Sequence, residues 1–158
     1  MSDKKQLASQ AAALALEYEF DYGCCPQCVL AAVQETVGLI SDETIKASHG
    51  LSGGGGLSGV GLCGSLVGGI LALGAKRGRD RDKFAKGKFI GNFSKAHQLS
   101  QEFREKFGGL TCQELQHEFT GKTYDMWKPE EYQAFSDSRG DQCARTAEFV
   151  TRWVVERL

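Results

Sequence analysis

The chain has 158 residues, enough for one domain with a core of its own, and its 19 Lys+Arg against 20 Asp+Glu leave a formal net charge of -1. That balance argues against the overall positive field that non-specific nucleic-acid binding needs, so no nucleic-acid partner is expected. An apolar fraction of 41% with only 2 Pro argues against disorder and against a turn-rich β-sandwich, while 20 Gly and 6 Cys are the unusual counts.

In chain order, the first segment has two lysines but no apolar h-region behind them, which predicts a chain that is not exported and resides in the cytoplasm. Leu7, Ala11, Leu14, Ala15, Tyr18 and Tyr22 recur at steps of three and four and predict a helix over Lys5 to Tyr22 ended by Gly23. Pro26 suits the first turn of a second helix with Val29, Leu30, Val33 and Val37 as its apolar stripe and Gly38 as its stop. A turn or two of helix is expected over Asp42 to Ser48. Gly53 to Gly56, with Gly59 and Gly61, form a glycine-rich loop too weakly patterned for a phosphate cradle; its bare amides could instead surround an anionic group.

A central apolar helix is expected over Leu62 to Ala75. From Gly50 to Ala75 no residue is charged, so Leu57 to Ala75 also scores as a membrane-span candidate, a reading disfavoured by its glycines and serines. Lys76 to Lys88 carries seven basic and two acidic residues and reads as a solvated connector. Ile90, Phe93, Ala96, Leu99, Phe103 and Phe107 mark a long helix ended by Gly108-Gly109, and Thr111 with Glu114 forms a capping box opening a short helix to Phe119. Gly121 to Ser138 reads as irregular with one helical turn from Pro129, and Asp141 as the N-cap of a last helix along Cys143, Ala147, Val150, Val154 and Leu158. The expectation is an all-α bundle of five to six helices, a single domain over residues 1–158.

On this assignment every cysteine falls within about a turn of a helix start: Cys24, Cys25 and Cys28 at the second helix, Cys63 at the third, Cys112 at the fifth and Cys143 at the last. Helix starts present free N–H groups and the positive end of the macrodipole, which predicts lowered thiol pKa values and favoured thiolates. In a reducing compartment such thiols read as metal ligands or redox groups rather than structural disulfides. If the helix starts converge, four thiolates could share a metal or cluster. Cys25 and Cys28 form a C-x-x-C, which also fits a thiol–disulfide pair. No βαβ pattern supports a thioredoxin fold, and Cys63, Cys112 and Cys143 lack the second compact pair of a structural zinc site. His97 and His117 read as exposed helix positions, and His49, beside the glycine loop, is the histidine to watch.

The chain resembles the C_GCAxxG_C_C family of redox-active proteins. Cys25-Pro26-Gln27-Cys28-Val29-Leu30 is similar to the family's opening segment, Cys63-Gly64-Ser65-Leu66-Val67-Gly68 to its central motif with Ser65 in place of Ala, and Cys112 and Cys143 to its trailing single cysteines. The resemblance implies that Cys25, Cys63, Cys112 and Cys143 are the four family cysteines, with a role in redox chemistry and in holding an iron–sulfur or other metal centre; Cys24 and Cys28 depart from the motif as extra cysteines, which leaves open a spare metal ligand at Cys28 or Cys24, a larger cluster, or a disulfide switch beside the metal. The expected function is electron transfer with an unidentified redox partner protein. The alternatives are a metal-free thiol–disulfide oxidoreductase using Cys25 and Cys28, and a metal carrier or membrane-associated accessory that docks through the apolar stretch Leu57 to Ala75 and the basic stretch Lys76 to Lys88. The small-residue face Gly61, Gly64, Gly68 and Ala72 could pack a second copy as readily as its own neighbours.

Overall fold

A computed structural model describes residues 2–158. Among the described residues there are eight α-helices and no strand: α1 (Ser2–Tyr22), α2 (Cys25–Val37), α3 (Asp42–Ala47), α4 (Gly64–Arg77), α5 (Ile90–Phe107), α6 (Cys112–Thr120), α7 (Pro129–Ser138) and α8 (Gln142–Arg157), with 3-10 turns at His49–Gly54 and Arg81–Lys83. The all-α class holds, and the helix count exceeds the expected five to six. The excess comes from α3 and from α7, a full ten-residue helix where one turn was expected. Pro129 opens α7 and Glu130 and Glu131 sit in its first turn, a favourable start, yet Phe135 is its only buried side chain, so the polar sequence shows little helical periodicity.

The core runs through α1, α2, α4, α5 and α8, where Val29, Leu30, Val33, Leu66, Leu73, Leu99, Phe103, Val150 and Val154 are sealed from solvent. The buried face of α1 differs from the expected one. It consists of Ala8, Ala11, Ala12, Ala15 and Glu19, whereas Tyr22 is 78% exposed. The small alanines let α1 lie closely along α8 and α2.

Helix α4 begins at Gly64, two residues later than expected, because Leu62 pairs with Thr111 in an isolated antiparallel bridge. Its fourteen residues span about 21 Å, less than the roughly 30 Å of a bilayer's hydrocarbon. No described helix is long and apolar enough to cross a membrane, which corrects the span reading of Leu57 to Ala75. The helix is apolar because neighbours surround it. A Cβ on Gly64 would meet Pro26 Cδ at 2.8 Å, one on Gly68 would meet Val29 Cβ at 2.9 Å, and one on Gly69 would collide with Val150. The stripe therefore serves close packing of α2 and α8 within the chain.

A candidate redox centre at four helix starts

The local structure carries each cysteine to a helix start, as its position in the sequence suggests. Cys24 is the N-cap of α2 and Cys25 its first residue; Cys63 is the N-cap of α4; Cys112 opens α6; Cys143 is the second residue of α8. Cys28 follows one turn into α2. All six are free thiols.

Backbone pairing brings the starts of α4 and α6 together. Cys63 N–H donates to Leu110 O at 2.7 Å, Cys112 N–H to Gly61 O at 3.0 Å and Gln113 N–H to Gly59 O at 2.8 Å. The glycine loop makes this clasp, and Gly54 and Gly61 approach so closely that a Cβ on Gly61 would collide with the Gly54 carbonyl. Most of its amides are already bonded and are not free to surround an anion. Those of Gly55, Gly56, Gly59 and Gly61 donate to carbonyls of the same loop, so the open amide cradle is corrected to a self-bonded clasp.

Cys25, Cys63, Cys112 and Cys143 line one cavity of about 60 Å³ together with Cys24, Glu19 and Arg139. Side chains fix their surroundings. Thr146 Oγ1 donates to Cys143 O at 2.6 Å and so receives Ser65 Oγ at 2.8 Å, tying α4 to α8 beside Cys63. Gln116, fully buried, donates from Nε2 to Cys112 Sγ at 3.6 Å while its Oε1 accepts the Tyr124 N–H at 2.9 Å. Trp127 reaches from the loop before α7 and donates from Nε1 to Gly56 O at 2.9 Å, linking the cavity's outer wall to the glycine loop.

Two charged residues at this site escaped the reading of the sequence. Glu19 is 1% exposed and Arg139 donates from Nη1 to its Oε1 at 3.3 Å. Glu19 Oε2 and Arg139 Nε are buried without a hydrogen-bond partner, although the thiols of Cys25 and Cys28 stand beside the carboxyl and Cys143 beside the guanidinium. The signal for Glu19 lay in the alanine spacing, since it falls four residues after Ala15 on the buried face; Arg139 precedes Cys143 by four residues, which by itself marks nothing.

The expected lowering of the thiol pKa values is overturned by burial. Enclosure of the thiol, then Glu19 and the three neighbouring cysteines, hold Cys25 well above the ordinary thiol range. Burial likewise raises Cys63, even though the Ser65 and Leu66 amides at the start of α4 face its sulfur and pull the other way. Burial pushes Cys112 up to about 11, and Cys143 up to about 12 against the pull of Arg139. Loss of solvation disfavours the thiolate by more than helix-end amides restore. All four sulfurs are pushed toward the neutral thiol. Arg139 is held above its ordinary value because Cys143, Glu19 and Cys25 outweigh the burial that opposes its charge.

Cys28 does not line the four-cysteine cavity, although its thiol also stands beside Glu19. It lines an open hollow with Tyr18, Tyr22, Cys24, Glu35 and His49, and its thiol donates to Gly23 O at 2.9 Å. Burial, with Glu19 and Cys24, raises its pKa as well. Cys24, in a left-handed conformation at φ 62, lines both this hollow and the four-cysteine cavity. His49 takes part through its carbonyl, which accepts from Cys24 Sγ at 3.7 Å, while its ring is exposed; His97 and His117 are exposed, as expected.

A family model described as "Putative redox-active protein (C_GCAxxG_C_C)" matches residues 23–157, and the chain belongs to that family. The match begins after Glu19. No curated protein and no solved structure matches the chain.

Proposed function

We propose that this member of the C_GCAxxG_C_C family holds an iron–sulfur or other metal centre through Cys25, Cys63, Cys112 and Cys143 and passes electrons through it. The observation that carries this reading is the convergence of four thiols, from four separate helix starts, on one small cavity. Sulfur is the donor chemistry that selects iron–sulfur clusters and other thiophilic metals. Binding would replace four thiol protons with a cation, which supplies the charge stabilisation that burial withholds. Arg139 adds a fixed positive charge beside Cys143 and Cys25.

Within this reading a polynuclear centre is proposed over a single ion. Four sulfurs on one ion, each at about 2.3 Å in a tetrahedron, would stand about 3.8 Å from one another. No three His, Cys, Asp or Glu side chains among the described residues are gathered to hold a single ion. A cluster carries each thiolate on a separate iron and so accepts wider spacing. Metal-free exchange between Cys25 and Cys28 has less support, because burial holds both in the unreactive thiol form.

Purified without oxygen from iron-replete cells, the protein is expected to be brown and to contain iron and acid-labile sulfide. Cys63→Ser or Cys112→Ser should lose both while keeping the helical circular-dichroism signal, and Cys24→Ser should lose neither. A folded wild-type protein that is colourless and iron-free under these conditions overturns the reading.

A further inference from the structure

The molecule's charge is divided unequally. Residues 76–88, between the last turn of α4 and the start of α5, carry seven Lys or Arg and two Asp, a net of +5; the rest of the chain keeps twelve basic and eighteen acidic residues, a net of -6. Lys83 pairs with Asp80 at 2.6 Å, and Arg79 is used internally, donating from Nη1 to Gly87 O at 2.9 Å to shape the turn. Among the described residues no acidic side chain pairs with Lys76, Arg81, Lys86 or Lys88.

Bare apolar side chains stand in the same place. Phe84, Ile90 and Phe93 are 53%, 68% and 62% exposed. Ile90 and Phe93 lie one turn apart on α5, and Phe93 and Phe84 border one hollow with Arg79, Lys88 and Phe89. The Arg79 and Arg81 guanidinium carbons sit 4.8 and 4.9 Å from the Phe84 ring centroid, so the aromatic side chain is presented among cations. Exposed aromatics interleaved with unpaired cations are suited to an interface with anionic headgroups on its surface and hydrocarbon beneath.

We propose that this tip docks the protein peripherally on an anionic lipid surface. The charge partition selects that occupant. A nucleic acid wrapping the molecule would meet the -6 remainder, whereas a planar surface meets only the tip and leaves the acidic bulk beyond a screening length of roughly 8 Å. The exposed Phe84, Ile90 and Phe93 have a use in lipid that a purely ionic contact with an acidic protein would not give them. Docking in this pose turns the cysteine cavity away from the membrane, because Cys63 caps the opposite end of α4, about 21 Å from Arg77. The proposal stands apart from the identity of the redox centre.

The test is co-sedimentation of the full chain with vesicles of phosphatidylcholine alone and of phosphatidylcholine mixed with phosphatidylglycerol. Binding is expected on the mixed vesicles only and is expected to weaken with added salt. The double variant Lys86→Glu/Lys88→Glu should reduce it about tenfold or more, and Phe84→Ser/Phe93→Ser should reduce it even at low salt; circular dichroism confirms that these surface variants fold. Equal partition onto both vesicle types, no sedimentation with either, or binding untouched by the Lys86/Lys88 variant overturns the proposal. Capture on polyglutamate beads without vesicle binding overturns it in favour of an acidic protein partner.

Discussion

Glu19 and Arg139 form the one buried ion pair at the cysteine cavity, and it is an incomplete one: a single contact at 3.3 Å, with one polar atom of each side chain left unbonded. Removing one partner of such a pair leaves an uncompensated buried charge, which costs about 3–5 kcal/mol, whereas removing the charge from both costs far less. Arg139→Met is therefore expected to destabilise the metal-free protein by about 3 kcal/mol in urea denaturation, and Glu19→Gln/Arg139→Met to recover most of that loss. Equal losses in the two variants would show that the pair acts through packing rather than charge. At this scale most of the cysteines were legible because they sit beside a helix-start signal, Cys24, Cys25 and Cys28 at Pro26, Cys112 at the Thr111 capping box and Cys143 next to Asp141, whereas Cys63 has the glycine loop before it and no capping side chain. Their ionisation was not, since burial depends on the assembled fold. Nor was the Glu19–Arg139 pair, whose members are separated by 120 positions; the alanine spacing marks the buried place of Glu19, but nothing local marks Arg139 as its partner.

Among the elements, α4 decides how closely the cysteine-bearing helix starts approach. Gly64 and Gly68 face the first turn of α2, where a Cβ on Gly64 would stand 3.0 Å from Cys25 Cβ and one on Gly68 3.0 Å from Pro26 O. Part of that contact is backbone, which cannot swing aside as a side chain would. Gly68→Ala is expected to cost about 1–3 kcal/mol, as overpacking does, and to displace Cys25; if the proposed centre is bound there, the variant should also hold less iron. Gly74, on the same helix, has open space where a Cβ would go, so Gly74→Ala should be neutral or gain about 0.5–1 kcal/mol from helix propensity. Thermal denaturation of the two variants side by side measures the contrast; equal effects would mean that α4 glycines matter only through propensity. The apolar run that resembles a membrane segment is explained by the same packing, with neighbours on all sides of a helix too short to span. Periodicity located α1, α2, α5 and α8 to within a few residues, and the Thr111 capping box located α6. Pro129 marked the start of α7 but not its length, because its contact with the core is one phenylalanine.

Across the whole molecule, two regions differ in what holds them. Helices α1, α2, α4, α5 and α8 share a continuous core, including Phe103, Phe107 and Phe149 stacked within 4.8 to 6.4 Å of one another. The segment from Leu110 to Arg139, carrying α6 and α7, buries only Leu115, Gln116, Met126 and Phe135 and is tied down by contacts around the cavity: Cys63 N–H to Leu110 O, Gln116 to Cys112, Trp127 to Gly56 and Arg139 to Glu19. A region with few buried apolar side chains opens at lower free energy than the core it rests on. A centre bound to Cys112 would add its binding energy to this weak segment first, because that cysteine is the only one of the four that the segment contributes. Hydrogen exchange should therefore show that removal of the centre by a chelator, or its loss in Cys112→Ser, speeds exchange in residues 110–138 by tenfold or more, with roughly 1.4 kcal/mol corresponding to each factor of ten. Amides of α2 and α8 beyond their first turns should keep their protection. Uniform acceleration through all eight helices would instead mean that the centre and the core form one cooperative unit, and unchanged exchange in α6 and α7 would mean that Cys112 is not among the residues that hold it.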